Sequence, residues 1–170
     1  GTIGGDVTFI KDFVSLPSPR EYPDIVVRGE LIIKTKIFQE KYAKAYSTPR
    51  ALVASKVNSG FASPWLADFS FVAYEVVDLR KKEKGKGPPK DPFSILEFEG
   101  FETAIHGTFE KPTLFDLISE YRKQRAQSEY WIDGLVIEPT DGSLPKVAFK
   151  MMLEEQTRWT KVLSVEWRAS

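Results

Sequence analysis

The chain contains no cysteine and a single histidine, His106. Disulfides, thiolate-ligated zinc and a cysteine nucleophile are thereby excluded, and a histidine-rich metal site or a Ser/His/Asp relay has too little material. An excess of either charge is lacking too. Lys+Arg and Asp+Glu both number 24, so any basic surface has to be local. No apolar run approaches the roughly 18 residues that a membrane span requires, and the first residues have neither the basic start nor the apolar core of a signal peptide. A soluble cytoplasmic (intracellular) protein with no membrane partner is the expectation. What is present is 170 residues, 42% of them hydrophobic, enough for one well-packed core. One domain, or one large piece of a domain, is expected over 1–170, with no second domain.

The segment IVVRGELII, residues 25–33, alternates Arg28, Glu30 and Ile32 against Val27, Gly29, Leu31 and Ile33, which predicts a strand with two polar residues on one face. Thr35 can cap a helix in which Phe38, Tyr42, Ala45 and Tyr46 recur at helical spacing, and Pro49 can open a second short helix through about Val57. FSFVAYEVV, residues 69–77, reads as strand and ends in RKKEKGKGPPK, a mobile surface loop over about 80–91. Asp91 and Pro92 fit the cap and first position of a helix that Gly100 terminates, after which FETAI reads as a short strand. A further helix starts near Thr113, with Leu114, Leu117, Ile118 and Tyr121 on one face, and runs towards Arg125. WIDGLVIEP, KVAFKMM and TRWTKVLSVEW give three closing strands. Without a βαβα rhythm, an α+β fold with largely antiparallel sheets flanked by helices fits better than a doubly wound one.

Three of these strands carry polar residues in apolar surroundings: Arg28 and Glu30, then Asp133 and Glu138 around DGLVI, then Lys146 and Lys150 in KVAFK. Alternation groups Lys146, Ala148 and Lys150 on one face, and Val136 with Glu138 on another. A groove lined by carboxylates and lysines is one reading. Taken strand by strand, an edge that simply exposes charge is the simpler one.

The order and wording of the segments favour the first reading, because together they resemble the adenylation (nucleotidyltransferase, ATP-grasp-like) core of NAD-dependent DNA ligases. GTIGGDVT is similar to that family's GTTGEDVT, VVRGEL to VRGEV, TPRALVAS to NPRNAAAGS, FSFVAYEV to FFAYGV and IDGLVI to IDGVVI. VAFKMMLEEQTRWTKVLSVEW is similar to AFKFPAEEAxTxVxxIEW, so the resemblance covers nearly the whole chain in order. It implies that Glu30 accepts hydrogen bonds from the ribose of the AMP moiety of NAD, that Tyr74 stacks on adenine and that Val136 covers the other side of the base. It implies further that Lys150 sets its ammonium on the α-phosphate, that Asp133 holds Mg2+ or the reacting lysine, and that Arg50 and Arg125 meet phosphates or the nicked strand of double-stranded DNA. His106 is expected in a surface loop, and the lysines from Lys81 to Lys90 are expected to be solvated.

Departures from the family pattern point the other way. Glu138 stands where the family has a lysine on the nucleotide, which leaves three options: Mg2+ binds there, Lys146 substitutes, or the pocket does not handle nucleotide normally. Ala51, Leu52 and Val53 replace the asparagine and small residues of NPRNAAAGS, and no KxDG, the family's nucleophile motif, occurs in the chain. The chain alone is therefore expected to be inactive, a partial domain. The nicotinamide-mononucleotide-recognising N-terminal part and the OB, zinc-binding and helix-hairpin-helix parts are expected elsewhere in the same protein. Two rival functions stand beside the NAD-dependent ligase: a degenerate nucleotidyltransferase-fold binding or scaffold module, and an ATP-dependent polynucleotide ligase.

Overall fold

A computed structural model describes residues 4–18, 25–78, 91–140 and 143–150. The loop expected over about 80–91, except Asp91, and the strand expected over TRWTKVLSVEW lie outside the described residues. The chain divides into two compact units, Gly1–Trp131 and Ile132–Ser170. The fold is α+β with antiparallel strand pairs.

In the first unit, strand β1 (Ile25–Ile33) pairs antiparallel with β2 (Phe69–Asp78). The alternation read from the sequence is realised, with Val26, Arg28 and Glu30 exposed between half-buried Val27, Gly29 and Leu31. Ile33, Phe69, Ala73 and Val76 belong to the buried face. Two apolar clusters cover it, and Phe71 touches both. At one end Ile33 and Phe69 pack with Phe38, Leu52 and Leu66; at the other Ala73 and Val76 pack with Leu96. Leu52, Leu66 and Leu96 are fully buried, each contributing about 1.5–3 kcal/mol by removal from water.

The helices follow their capping residues. Helix α2 (Pro49–Asn58) begins with proline at its first position, and the Thr48 hydroxyl accepts the Ala51 amide at 3.1 Å. Asp91 caps α3 (Pro92–Phe98) by accepting the Phe93 amide at 3.1 Å, and Gly100, at a φ of 86°, adopts the left-handed turn that ends it. Thr113 and Asp116 form a reciprocal capping box at the start of α4 (Leu114–Gln127).

Four expectations need correction. Helix α1 (Thr35–Lys41) has Lys34 at its cap, so Thr35 is its first residue rather than its cap; the Thr35 amide donates to the Glu129 carbonyl at 2.8 Å. This helix also stops short of Tyr46, because the Phe38 carbonyl accepts both the Tyr42 and the Ala43 amides and the turn closes. FETAI makes a single parallel bridge, Thr103 to Ala73, and no strand: Glu102 and Ala104 bond both sides of Ala73, and pairing goes no further. Tyr121 is buried as expected of its helix face, but Leu114, in the first turn, is 59% exposed.

The second unit, as described, is a hairpin. Strand β3 (Gly134–Ile137) pairs antiparallel with β4 (Val147–Lys150), from Gly134 opposite Lys150 to Ile137 opposite Val147. Gly134 is required there, because a Cβ on it would run into the Phe149 carbonyl. No described helix is long and apolar enough to cross a membrane.

Candidate functional site

The solvent face of the β1/β2 pair carries the polar residues singled out from the sequence. Glu30 lies opposite Val72, and Arg28 lies opposite Glu75, to whose carboxylate it donates at 2.6 Å. Between them the register shifts. Arg28 pairs with Glu75 and Gly29 with Ala73, which leaves Tyr74 as the extra residue of a β-bulge. Because Ala73 and Val76 both point into the core, Tyr74 and Glu75 are left together on the opposite face, the one that bears Arg28 and Glu30. Tyr74 is 40% exposed, so its ring is open to a ligand.

Gly29 explains how an Arg-Gly-Glu turn of wording fits this sheet. A Cβ at Gly29 would come within 2.5 Å of both the Phe71 ring and the Val72 carbonyl. The absent side chain lets Phe71 lie across β1 on the buried side while Arg28 and Glu30 face solvent on the other.

Arg50 is exposed in the first turn of α2, where the helix dipole is already positive and an anion is favoured. Arg125 is more constrained: its guanidinium donates to the Tyr121 hydroxyl at 3.1 Å and lies 5.9 Å from the Trp131 ring centroid. It is therefore not a freely solvated helix residue, although one hydrogen bond leaves further guanidinium N–H groups to donate. His106 is exposed, as expected, yet stacks on Phe93 at 3.9 Å between ring centroids.

Around the start of α1, Lys34 donates to Glu129 at 2.6 Å, and the Tyr130 hydroxyl donates to Glu102 at 2.6 Å. Burial, together with that bond, raises the Tyr130 pKa to about 12. Tyr42 is raised to about 12 in the same way, first by burial and then by its bond to Asp68. A cavity of about 260 Å3 opens beside Pro17, Phe69, Phe71, Gly100 and Glu102, and none of the site residues expected from the sequence lines it.

In the second unit, Asp133, Val136, Glu138, Lys146 and Lys150 all lie along the hairpin, the charged ones in two ion pairs towards its opposite ends. Val136 is 66% exposed opposite Ala148. Lys150 Nζ lies 3.7 Å from the Asp133 carboxylate, and Lys146 Nζ lies 3.0 Å from the Glu138 carboxylate. The two ion pairs were not legible beforehand, because they depend on the hairpin register. The one available signal was the alternation that grouped Lys146 with Lys150. Among the described residues no cluster of three Asp, Glu or His side chains forms a ready metal cage. Mg2+ does not need one, since it commonly takes one or two carboxylates and completes its shell with water and phosphate oxygens.

No family model matches the chain. Among curated proteins it is similar to a putative DNA ligase of Invertebrate iridescent virus 3, 34% identical over 86% of this chain and 21% of the relative. It is 29% identical to a DNA ligase of Acanthamoeba polyphaga mimivirus over 100% of this chain and 28% of that protein. A DNA ligase of the bacterium Ligilactobacillus salivarius is 29% identical over 98% of this chain and 28% of the relative. The chain thus spans between a fifth and a third of the length of these relatives.

Proposed function

We propose that the chain is part of the nucleotide-binding core of a DNA ligase that seals nicks through a lysine-bound adenylate made from NAD. The observation that carries this reading is the similarity, along nearly the whole chain, to proteins named DNA ligase from two viruses and a bacterium. The geometry of each unit supports it.

In this reading Glu30, an exposed carboxylate with no ion pair to a described residue, accepts hydrogen bonds from the ribose hydroxyls. Tyr74, turned outward by its bulge, stacks on adenine, an interaction of about 1–3 kcal/mol per base. Val136, 66% exposed on the hairpin, is an apolar surface suited to a base. Lys150 holds its ammonium against the α-phosphate as negative charge grows there. Asp133 is the carboxylate suited to Mg2+, which supplies further neutralisation of phosphate charge when bound. Arg50 and Arg125 lie on the DNA side, Arg50 as the freer of the two.

The chemistry is phosphoryl-type transfer. A lysine amine forms a bond to the α-phosphorus of NAD, and the bond to nicotinamide mononucleotide breaks. AMP then passes to the 5′-phosphate of the nick, and the 3′-hydroxyl displaces it as the DNA backbone closes. Positioning and charge stabilisation supply most of the rate. No KxDG motif occurs in these 170 residues, so none of their lysines is assigned the attack.

The test is sealing of a nicked duplex by the whole protein with NAD or with ATP as donor. Sealing with NAD alone is the expected result. Sealing with ATP alone would replace the donor, and no sealing with either would favour a binding module over a ligase.

A further inference from the structure

The β3/β4 hairpin carries its own arrangement of charge around an apolar patch. Continuing the register beyond Ile137 opposite Val147 sets Glu138 against Lys146, and their 3.0 Å ion pair agrees. Along that face lie Lys150 opposite Gly134, then Ala148 opposite Val136, then Lys146 opposite Glu138. Lys146 and Lys150 are each two residues from Ala148, roughly 6 to 7 Å along the strand. A nucleotide base resting on Val136 therefore has an ammonium within reach at either end. At the Lys146 end, β3 itself offers only a carboxylate, which repels phosphate.

We infer that Lys146 supplies the phosphate-binding ammonium at this end of the hairpin, and that Glu138 is a positioning residue that holds it there. The inference rests on the proposed nucleotide-binding function and names a residue that acts in it. An ammonium has three donors. The Glu138 carboxylate occupies one, and two remain for phosphate oxygens. The tether matters because Lys146 is about half exposed, with a four-carbon stem that otherwise samples many rotamers. A shared metal does not explain Glu138 equally well: Asp133, the other carboxylate of the hairpin, is five residues away along the strand, about 16 Å, too far to join it on one Mg2+. The negative charge at Glu138 is thus matched from the facing strand, and the site keeps a cation that β3 no longer provides.

The experiment is equilibrium binding of NAD, which carries a second phosphate beside the α-phosphate assigned to Lys150, to the whole protein without Mg2+, measured by calorimetry at low and at raised salt, with thermal unfolding of every variant as a fold control. Lys146→Ala should weaken NAD binding about tenfold, the loss of one charge-assisted hydrogen bond at a half-exposed site, and the deficit should shrink with salt. Lys146→Glu should lose more, and adding Glu138→Lys to it should restore most of the binding by returning an ammonium to the same place from the other strand. Lys146→Ala binding NAD as tightly as the unaltered protein, while Lys150→Ala loses it, would overturn the inference and leave the proposed function standing. Failure of the unaltered protein to bind NAD at all would overturn both.

Discussion

Replacing Gly29 by alanine tests whether the polar face of β1 depends on the missing side chain behind it. The new Cβ would meet the Phe71 ring and the Val72 carbonyl, each at 2.5 Å. A ring edge can rotate away, but the Val72 carbonyl belongs to the strand facing Glu30, so relief requires β1 and β2 to part locally. Overpacking of this kind costs about 1–3 kcal/mol, and a clash with backbone belongs near the upper end. Against it stands a gain of about 0.4–1 kcal/mol, because alanine restricts the unfolded chain more than glycine does. The net loss is about 2 kcal/mol, a fall in melting temperature of roughly 4–8 °C for a domain of this size. Gly5→Ala is the control, since a Cβ there meets nothing within 4 Å. Both variants would be followed by thermal and urea unfolding. A Gly29→Ala protein as stable as its parent would refute the claim that close strand approach, rather than chance, fixes glycine between Arg28 and Glu30.

Other outcomes follow from single groups. Thr113→Ala removes one half of the capping box and should cost about 1 kcal/mol in urea unfolding, whereas Thr113→Ser should cost little. Tyr42 and Tyr130 both have folded pKa values raised to about 12 from 10.0, so their share of stability is complete below pH 10 and is lost as pH rises to 12. The double variant Tyr42→Phe, Tyr130→Phe should flatten stability across that window, and an unchanged slope would rule out these hydroxyls as its source. Tyr74→Ala should weaken AMP binding by about 1–3 kcal/mol while Tyr74→Phe stays close to the parent, because stacking needs the ring and not the hydroxyl. Equal losses in both would point to a hydrogen bond instead.

Legibility followed the range of the interaction that decides each feature. Strand β1 was readable because burial on one face imposes a period of two, and Arg28 and Glu30 fell on the same face as expected. The starts of α2, α3 and α4 were readable because Pro49 fits the first helical position and Asp91 and Thr113 cap within three residues of themselves, while the Thr48 cap was found only in the structure. The end of α1 was not, since Tyr42, Ala45 and Tyr46 keep helical spacing although the hydrogen bonding has already turned at Phe38. The bulge at Tyr74 left no mark in the composition, because it depends on where β2 meets β1. Glu138 illustrates the same limit at the site. Its sign was visible, but its neutralisation by Lys146 requires the register of two strands whose connection includes 141–142, outside the described residues.

The most direct measurement is the intact mass of the whole protein after incubation with NAD and Mg2+, followed by mapping of any adduct. One AMP should be added on a lysine outside these 170 residues, with the yield sharply reduced by Glu30→Ala and by Lys150→Ala. The isolated 170-residue chain under the same conditions should gain nothing. An AMP adduct on Lys146 or Lys150, or full adenylation of the Lys150→Ala protein, would contradict the assignment of these residues to phosphate binding.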